Sequence, residues 1–296
     1  MNDHTGIEWT DATWNPVTGC TKVSAGCKNC YAERIFKRPY PDREFTDVWC
    51  HPERLYQPLH WRKPQRIFVN SMSDLFHESV PFFFISQVFE IMEMAERHTF
   101  QILTKRPKRA LEFMVPKPIH LPVIPRRPLP NVWLGVSVED QKTADERIPL
   151  LIGTPAAVRF VSYEPALSPV IFQGNGEPGI PTALVNRQYL RGVLGDRRIA
   201  WVICGGESGP HARPMHPDWA RSVRDQCQAA GVPFFFKQWG EWMPVLCGID
   251  PNDGDPHCRI KDFHLWEDGQ NMWKVGKKAA GCLLDGQEWN EFPSTT

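Results

Sequence analysis

The chain has 296 residues, of which 42% are hydrophobic and 23% are charged. This composition is typical of a globular protein with a substantial core, and it excludes the disordered, collagen-like and coiled-coil classes. Lysine plus arginine and aspartate plus glutamate both number 34, so the formal net charge is zero. Attraction to nucleic acid or to an anionic surface would therefore need a local patch of charge.

The beginning of the chain gives no sign of secretion. The opening MNDHTGIEWTDATWN lacks the basic start and the apolar stretch of a secretory signal, and the longest apolar runs are about five residues, too short for a membrane span. Nine cysteines are an odd number in a long chain, which favours thiolate chemistry over a disulfide-stapled secreted fold. We therefore expect a cytoplasmic protein that does not contact a membrane.

A first strand is predicted at 13–17, and the most distinctive local feature follows it. Cys20, Cys27 and Cys30 lie within eleven residues, with the spacing C-x6-C-x2-C. The residues between them are mostly polar and include glycine, so the segment 18–32 predicts a loop and not an apolar face. Thiols that a loop holds close together usually bind a metal.

The residues alone leave two kinds of metal centre open. A structural zinc ion needs four ligands, and Cys50, His51 or Cys258 would have to supply the fourth. A [4Fe–4S] cluster on three thiolates leaves one iron free to bind a small molecule. Three ligands on one loop favour the cluster, and we expect it.

Helical patterns alternate with short β-rich runs through the rest of the chain. The further strands are predicted at 66–70, 99–104, 132–136, 158–161, 201–204 and 233–236. The helices are predicted at 30–37, 81–97, 106–114, 142–151 and 217–230. Near-continuous apolar strands that alternate with helices are typical of a parallel sheet buried on both faces. We therefore predict an α/β fold at 1–245, a partial or closed (β/α) barrel of about six to seven parallel strands, and a loop-rich segment packed on it at 246–296.

Polar residues follow each of these later strands. The segments are 71–74, 105–106, 137–140, 162–165, 205–208 and 237–241. In a barrel the C-terminal ends of parallel strands converge on one mouth, where functional residues lie. Carboxylates, hydroxyls and a lysine together suit a zwitterion with a ribose, or a phosphorylated ligand.

Several of these segments resemble a known family over about residues 7–293. They include TGCTKVSAGCKNCYAERI, VNSMSDLFH, ILTKR, LGVSVED, FVSYEPAL, WVICGGESGPHARPM and VGKKAAGCLLDGQEWNEFP. They resemble the phage-derived three-cysteine-motif family, a domain of unknown function. That family is similar to the radical S-adenosylmethionine superfamily and most like spore photoproduct lyase. The shared features are a tyrosine after the last of the three cysteines, here Tyr31, a Ser-Asp after the second strand, a Thr-Lys after the third strand and a Ser after the fourth strand.

The resemblance implies cofactors and site residues. A [4Fe–4S] cluster would lie on Cys20, Cys27 and Cys30, with S-adenosyl-L-methionine on its fourth iron. Reduction would give a 5′-deoxyadenosyl radical that abstracts hydrogen from a substrate, in a lyase or transferase-type modification. The cofactor-binding residues expected are Ser73, Asp74, Lys105, Ser137, Glu139, Ser162 and Glu164. The catalytic residues expected are Tyr31, Lys105 and Glu207.

Two departures limit what the resemblance implies. The superfamily usually has C-x3-C-x2-C, whereas the first gap here is six residues. The lyase also carries a hydrogen-donating cysteine just before its second-strand serine, where this chain has Asn70, Ser71 and Met72. We therefore do not expect repair of thymine dimers by that route.

One segment of the chain is strongly basic. Between Arg97 and Arg127, eight basic residues accompany a single acid, Glu112. Such an excess suits phosphate contacts or a solvated face.

We expect a DNA, RNA or nucleotide substrate, an electron donor such as flavodoxin or ferredoxin, and, from the resemblance, a separate partner protein of three-cysteine-motif chains. The alternative is a non-catalytic module, with zinc or an iron–sulfur cluster, that binds nucleic acid.

Overall fold

Helices and strands alternate along the residues that the computed structural model describes, which are 5–115, 127–172, 198–244 and 262–294. The helices are α1 Tyr31–Phe36, α2 Gln57–His60, α3 Phe82–Met94, α4 Pro107–Met114, α5 Gln141–Gly153, α6 Pro217–Ala230 and α7 Lys277–Ala280. The strands are β1 Ala12–Trp14, β2 Val17–Thr18, β3 Trp49–Cys50, β4 Arg66–Val69, β5 Thr99–Thr104, β6 Val132–Val138, β7 Val158–Tyr163, β8 Trp201–Gly205, β9 Phe234–Gln238, β10 Trp242–Pro244, β11 Asp262–Leu265 and β12 Asn271–Lys274. No helix among them is both long and apolar enough to span a bilayer.

Seven parallel strands form one curled sheet. Their order is β1-β4-β5-β6-β7-β8-β9, so β1 and β9 are its two edges and the sheet is a half-barrel. Helices α3, α4, α5 and α6 connect successive strands of this sheet. Parallel strands need such crossover connections, because each chain segment must return to the same end of the sheet. The α/β prediction is confirmed, and of the two predicted forms, partial and closed, the structure has the partial barrel.

Both faces of the half-barrel are buried, each in its own core. Alternate residues of a strand point to opposite faces. On the convex face, strand residues such as Ile102 and Val202 share a core with helical residues such as Val88 and Val223. The concave face carries a second, mainly aromatic core, called here the inner core: Trp9, Phe68, Trp133, Phe160, Trp201, Ile203 and Phe235. Two buried faces explain why the strands are apolar at nearly every position.

The rings of the inner core pack in tilted and edge-on arrangements. The Trp9 and Phe68 centroids lie 4.8 Å apart, and the Trp201 and Phe235 centroids lie 6.1 Å apart with nearly perpendicular planes. Gly135 of β6 stands beside Phe160 of β7 in register. A Cβ on Gly135 would lie 2.4 Å from the Phe160 ring. The glycine therefore gives the ring the space it occupies.

Outside the main sheet, the structure differs from the sequence-based expectation. The strand predicted at 13–17 is divided, because β2 leaves the sheet and pairs antiparallel with β3. The predicted loop-rich C-terminal segment contains β11, β12 and α7, and β12 pairs antiparallel with β11 and with β10. These strands are short and partly exposed, so they lack the continuous apolar pattern of the barrel strands. The boundary between a barrel at 1–245 and a separate segment at 246–296 stays a prediction.

Replacing Gly135 with valine is expected to destabilise the inner core. The added side chain would overlap the Phe160 ring, which other rings hold in place, and overpacking of this kind costs about 2 kcal/mol. Urea denaturation would measure the free energy of unfolding. The control is Gly153→Ala at the end of α5, where a Cβ would lie 3.9 Å from Leu111, and its effect is expected below about 1 kcal/mol. Equal effects of the two substitutions would contradict this account of Gly135.

Candidate functional site

A polar layer lies next to the inner core, toward the C-terminal ends of the strands. Phe68, Leu103, Phe160 and Phe235 are apolar residues of the concave face. Two positions after each of them, where the strand period returns a side chain to the same face, the sequence has Asn70, Lys105, Ser162 and Lys237. The half-barrel therefore has an apolar floor and a polar rim.

Most of the predicted site residues line a single cavity at this rim. Its volume is about 420 Å³, within the range of ligand sites. The predicted residues that line it are Cys20, Cys27, Cys30, Tyr31, Ser73, Asp74, Lys105, Ser137, Ser162, Glu164 and Glu207. Trp9, Phe68 and Leu103 of the inner core also contribute to its wall. Of the predicted site residues, Glu139 does not line the cavity; it contacts Ser24 of the cysteine loop and Lys105.

The cysteine loop, residues 18–32, presents three half-buried thiols. It contains a 3₁₀ turn at Ala25–Cys27, and Cys30 precedes α1. Burial raises the pKa of Cys20 to about 11, and Asp74 adds to this effect. Burial likewise raises the pKa of Cys30. Nη1 of Arg106 lies 3.5 Å from the Cys20 sulfur, where its charge favours the thiolate.

Glu139, just after β6, holds the loop from behind. Its buried carboxylate accepts a hydrogen bond of 2.9 Å from the Ser24 hydroxyl and pairs with Lys105 and with Arg147, the latter at 3.1 Å. Burial opposes ionisation, but Lys105 and Arg147 together bring the pKa of Glu139 below its ordinary 4.5. A Cβ on Gly26 would lie 2.5 Å from the Glu139 side chain, so glycine permits this close approach. These contacts make Glu139 a support of the loop, and the cofactor-binding role expected from the sequence stays a prediction.

Glu207, just after β8, holds the loop from a second side. Its carboxylate oxygens accept hydrogen bonds from Arg213 at 2.6 and 2.9 Å and from the Asn29 amide at 3.0 Å. Arg213 also donates to the Ala25 carbonyl at 3.0 Å. Burial opposes ionisation of Glu207, but the hydrogen bonds from Arg213 bring its pKa below the ordinary 4.5. This pairing favours a positioning role over the catalytic role expected from the sequence.

Arg106, after β5, makes the third attachment. It donates to the carbonyl and the hydroxyl of Thr21 in the loop, at 3.2 and 2.9 Å, and to Asp74 at 3.2 Å. Asp74 also accepts hydrogen bonds from the Thr104 hydroxyl at 2.8 Å and the Lys105 amide at 3.0 Å. Its oxygens are thus bonded within the protein. Asp74 therefore supports the site and does not present a free carboxylate to a ligand.

The remaining predicted residues face the cavity with fewer internal bonds. Ser137 and Ser162 stand side by side on neighbouring strands. The Ser73 hydroxyl donates to the Val17 carbonyl at 2.9 Å. Glu164 pairs with Lys237 at 2.7 Å, a partner that the sequence analysis did not single out. The Tyr31 hydroxyl donates to the Ser71 carbonyl at 2.6 Å, which ties the residue after the last cysteine to the end of β4.

Three arginines of the basic segment are hydrogen-bonded within the protein, whereas Lys108 and Arg127 are exposed. Arg97 donates to the carbonyls of Trp61 and Leu59, and Arg109 donates to those of Glu78 and Val80. Arg106 is buried in the pairs described above. These bonds attach the three arginines to neighbouring elements, although Arg97 is exposed, and a phosphate-binding role of the segment stays a prediction. Lys117 and Arg126 of the same segment lie outside the described residues.

The fold and the site together define an α/β half-barrel protein in which a three-cysteine loop is fixed over the polar ends of parallel strands. A family model described as "Protein of unknown function (DUF5131)" matches residues 4–293, and the chain belongs to this family. No curated protein matches the chain. The phage origin suggested by the sequence resemblance stays a prediction.

Among solved structures, the chain is similar to several forms of spore photoproduct lyase. A cysteine-to-serine mutant has a TM-score of 0.41 at 10% identity, covering 92% of this chain and 70% of that chain. A double mutant with bound AdoMet and dinucleoside spore photoproduct has a TM-score of 0.38 at 10% identity, covering 90% and 69%. A complex with dinucleoside spore photoproduct has 0.35 at 9% identity, covering 89% and 68%. Because these TM-scores and sequence identities are low, the function of this chain is argued from its own residues.

Neutralising Glu139 is expected to loosen the cysteine loop. Glu139→Gln would leave the charges of Lys105 and Arg147 without their carboxylate, and removing one partner of a buried pair costs about 3 kcal/mol. Hydrogen exchange followed by mass spectrometry should show faster exchange in peptides covering 18–32. The control is Glu146→Gln, which breaks an exposed pair with Lys142 at 4.0 Å and should cost at most about 0.5 kcal/mol. Unchanged exchange of the loop in Glu139→Gln would contradict the assigned role.

The contribution of Glu207 to stability is expected to depend on pH. Its pKa is lower in the folded chain than the ordinary 4.5 expected after unfolding. Its stabilising effect should therefore be complete above about pH 5.5 and should be lost as the pH falls through the folded pKa. The measurement is the difference in Tm between the wild type and Glu207→Gln from pH 3 to pH 8. A difference that is constant over this range would show that the carboxylate charge is unimportant.

Proposed function

We propose that this protein is a radical S-adenosylmethionine enzyme that modifies a nucleic acid or a nucleotide. In this proposal Cys20, Cys27 and Cys30 hold a [4Fe–4S] cluster, and S-adenosyl-L-methionine binds in the cavity beside it. The observation that carries the proposal is that the three cysteines and the polar ends of six parallel strands line the same cavity. The C-terminal edge of a parallel sheet is where such folds bind ligands.

The donor set supports a cluster over a single zinc ion. Among the described His, Cys, Asp and Glu residues, one group has three ligand atoms within 4.8 Å of one another, and it is His216, Asp218 and Asp268. The three loop sulfurs are therefore spread more widely, whereas a tetrahedral zinc ion holds its sulfurs about 3.8 Å apart. A cluster that gives each cysteine its own iron accepts wider spacing.

The candidates for a fourth zinc ligand also have other roles. Both ring nitrogens of His51 lie within hydrogen-bond distance of partners, the Thr18 hydroxyl at 2.8 Å and Glu53 at 2.9 Å. Cys50 lies in the β2–β3 ribbon, and it does not line the cavity. Cys258 lies outside the described residues. Three thiolate ligands with one open coordination position is thus the arrangement that the described residues favour.

When bound and reduced, such a cluster supplies an electron to S-adenosylmethionine and starts radical chemistry. The chain's own share is to bind and orient. The hydroxyls of Ser73, Ser137 and Ser162 are hydrogen-bonding groups for the cofactor's polar atoms. Lys105, which pairs with Glu139, and Glu164, which pairs with Lys237, would have to share these partners with the cofactor's carboxylate and with its amino group or ribose. Trp9, Phe68 and Leu103 restrict water at the cavity floor.

A polyanionic substrate is supported by the charges at the cavity wall. Lys22, Arg34 and Lys277 all contribute to it. Lys22 and Lys277 pair with Glu33 and Glu8 at 2.9 Å, and these pairs are partly exposed. Partly exposed pairs exchange partners at little cost, so the cations can turn to phosphate groups. The electron donor, such as flavodoxin or ferredoxin, the separate partner protein and the cytoplasmic location stay predictions.

The test is anaerobic reconstitution of the wild type and of Cys27→Ala. We expect the wild type to bind about four irons and sulfides per chain, and to convert S-adenosylmethionine to 5′-deoxyadenosine when dithionite is added. Cys27→Ala should lose most of the iron and all cleavage while keeping the Tm of the metal-free wild type, because a half-buried loop thiol adds little to either core.

The matched control is Cys50→Ala, which removes a half-buried thiol outside the loop. It should keep both the iron and the cleavage activity. Colourless protein with one zinc per chain would favour the non-catalytic binding module. Global unfolding of Cys27→Ala would indicate a structural metal and would contradict the proposal.

A further inference from the structure

One positive charge on the cavity wall differs from the others in its pairing. The lysine and arginine side chains that line the cavity are Lys22, Arg34, Lys105, Arg106, Lys237 and Lys277. All of them except Arg34 pair with a carboxylate at 3.2 Å or less. Arg34 forms no ion pair with the residues that the structure describes. Its guanidinium can therefore bind a ligand without breaking a bond inside the protein.

The place of Arg34 in the fold brings its side chain to the opening of the cavity. Arg34 lies in α1, one turn after Cys30, and its backbone amide donates to the Cys30 carbonyl at 3.2 Å. Residues three apart share a face of a helix, and Tyr31 and Arg34 both line the cavity. The three loop sulfurs are half-buried, whereas Arg34 is exposed. A ligand that extends from the cysteine loop to the solvent would thus pass Arg34.

Gly209, in the loop after β8, gives the Arg34 guanidinium its space. A Cβ on Gly209 would lie 2.4 Å from Nη1 of Arg34, so this atom lies against the backbone of the loop. The φ of Gly209 is +114°, a conformation that favours glycine. The preceding Ser208 also lines the cavity. The contact keeps the end of a long side chain near one point of the opening, which lowers the entropy lost when a ligand binds.

The acidic side chains of the neighbouring elements are bonded to other groups. Glu33, beside Arg34 in α1, pairs with Lys22 at 2.9 Å. Glu207 pairs with Arg213 at 2.6 Å, and Glu241 accepts a hydrogen bond of 2.9 Å from the Gly209 amide. A guanidinium has five N–H donors in a rigid fork that matches two oxygens of a phosphate. This fork is the free group at the opening of the cavity.

We propose that Arg34 binds a phosphate group of the substrate at the opening of the cavity and so places the adjoining nucleotide over the cysteine loop. The inference rests on the proposed function for the substrate class. Every nucleotide and every nucleic-acid strand carries phosphate, and a bidentate pair with arginine is among the strongest contacts that phosphate makes. The contact fixes position and is the same for every base.

The test measures binding of a fluorescein-labelled single-stranded DNA octamer of mixed sequence to the metal-free protein, by fluorescence anisotropy at several salt concentrations. We expect Arg34→Gln to weaken binding about tenfold. It should also reduce the slope of log Kd against log salt by about 0.7, the value of one phosphate contact on a single strand. Arg34→Lys keeps the charge without the fork, so it should keep the slope and weaken binding about threefold.

A second measurement distinguishes two sources of the phosphate. Equilibrium dialysis gives the affinity of the metal-free protein for the mononucleotide dAMP, whose phosphate is terminal. Weaker binding of both dAMP and the octamer by Arg34→Gln would assign Arg34 to a terminal phosphate. Weaker binding of the octamer alone would assign it to an internal phosphodiester.

Two controls separate this contact from overall charge and from stability. Arg38→Gln removes another exposed arginine without an ion pair, just after α1, that does not line the cavity, and should leave affinity and slope unchanged. Gly209→Ala should displace the guanidinium and weaken octamer binding about threefold. Gly269→Ala, where φ is +90° and nothing lies within 4 Å of the added Cβ, has a similar backbone cost and should leave binding unchanged.

Three results would overturn the inference. They are failure of the octamer and dAMP to bind the wild type, equal binding by the wild type and Arg34→Gln, and an equal loss of affinity in Arg38→Gln. A loss of S-adenosylmethionine affinity with unchanged octamer binding would assign Arg34 to the cofactor and would also overturn it. Since the assay uses no cluster, binding that depends on Arg34 would stand even if the reconstituted protein cleaved no S-adenosylmethionine.

Discussion

The site depends on the attachment of a polar loop to a sheet by buried ion pairs. The cysteine loop has few apolar side chains, so hydrophobic burial alone cannot fix its position. Glu139 with Arg147 and Glu207 with Arg213 hold the loop through Ser24, Asn29 and the Ala25 carbonyl. Charged hydrogen bonds are directional, and a buried charge without its partner is costly. The three thiols therefore keep one arrangement relative to the strand ends.

The period of the β-strand explains why the cavity has an apolar floor and a polar rim. Inward-facing positions two residues apart pass from Phe160 to Ser162 and from Phe235 to Lys237. The aromatic rings fill the concave face where the strands begin, and the polar side chains surround the opening where they end. A ligand in the cavity thus meets both a flat apolar surface and fixed charges. Both kinds of contact suit a small ligand with charged groups and a flat apolar part.

The sequence predicted the strands of the half-barrel well, because continuous apolar runs have few other interpretations. It could not predict the partners of the charges. Asp74, Glu139 and Glu207 were expected to bind a cofactor or to act in catalysis, but each is bonded to an arginine. The charge of a residue is visible in the sequence, whereas its pairing depends on tertiary packing.

The most direct test of the central claim is electron paramagnetic resonance of the reconstituted, dithionite-reduced protein. We predict the signal of a reduced [4Fe–4S] cluster whose g-values shift when S-adenosylmethionine is added, because the cofactor binds the iron that has no cysteine ligand. A cluster signal that S-adenosylmethionine leaves unchanged, or protein that forms no paramagnetic cluster, would contradict the account.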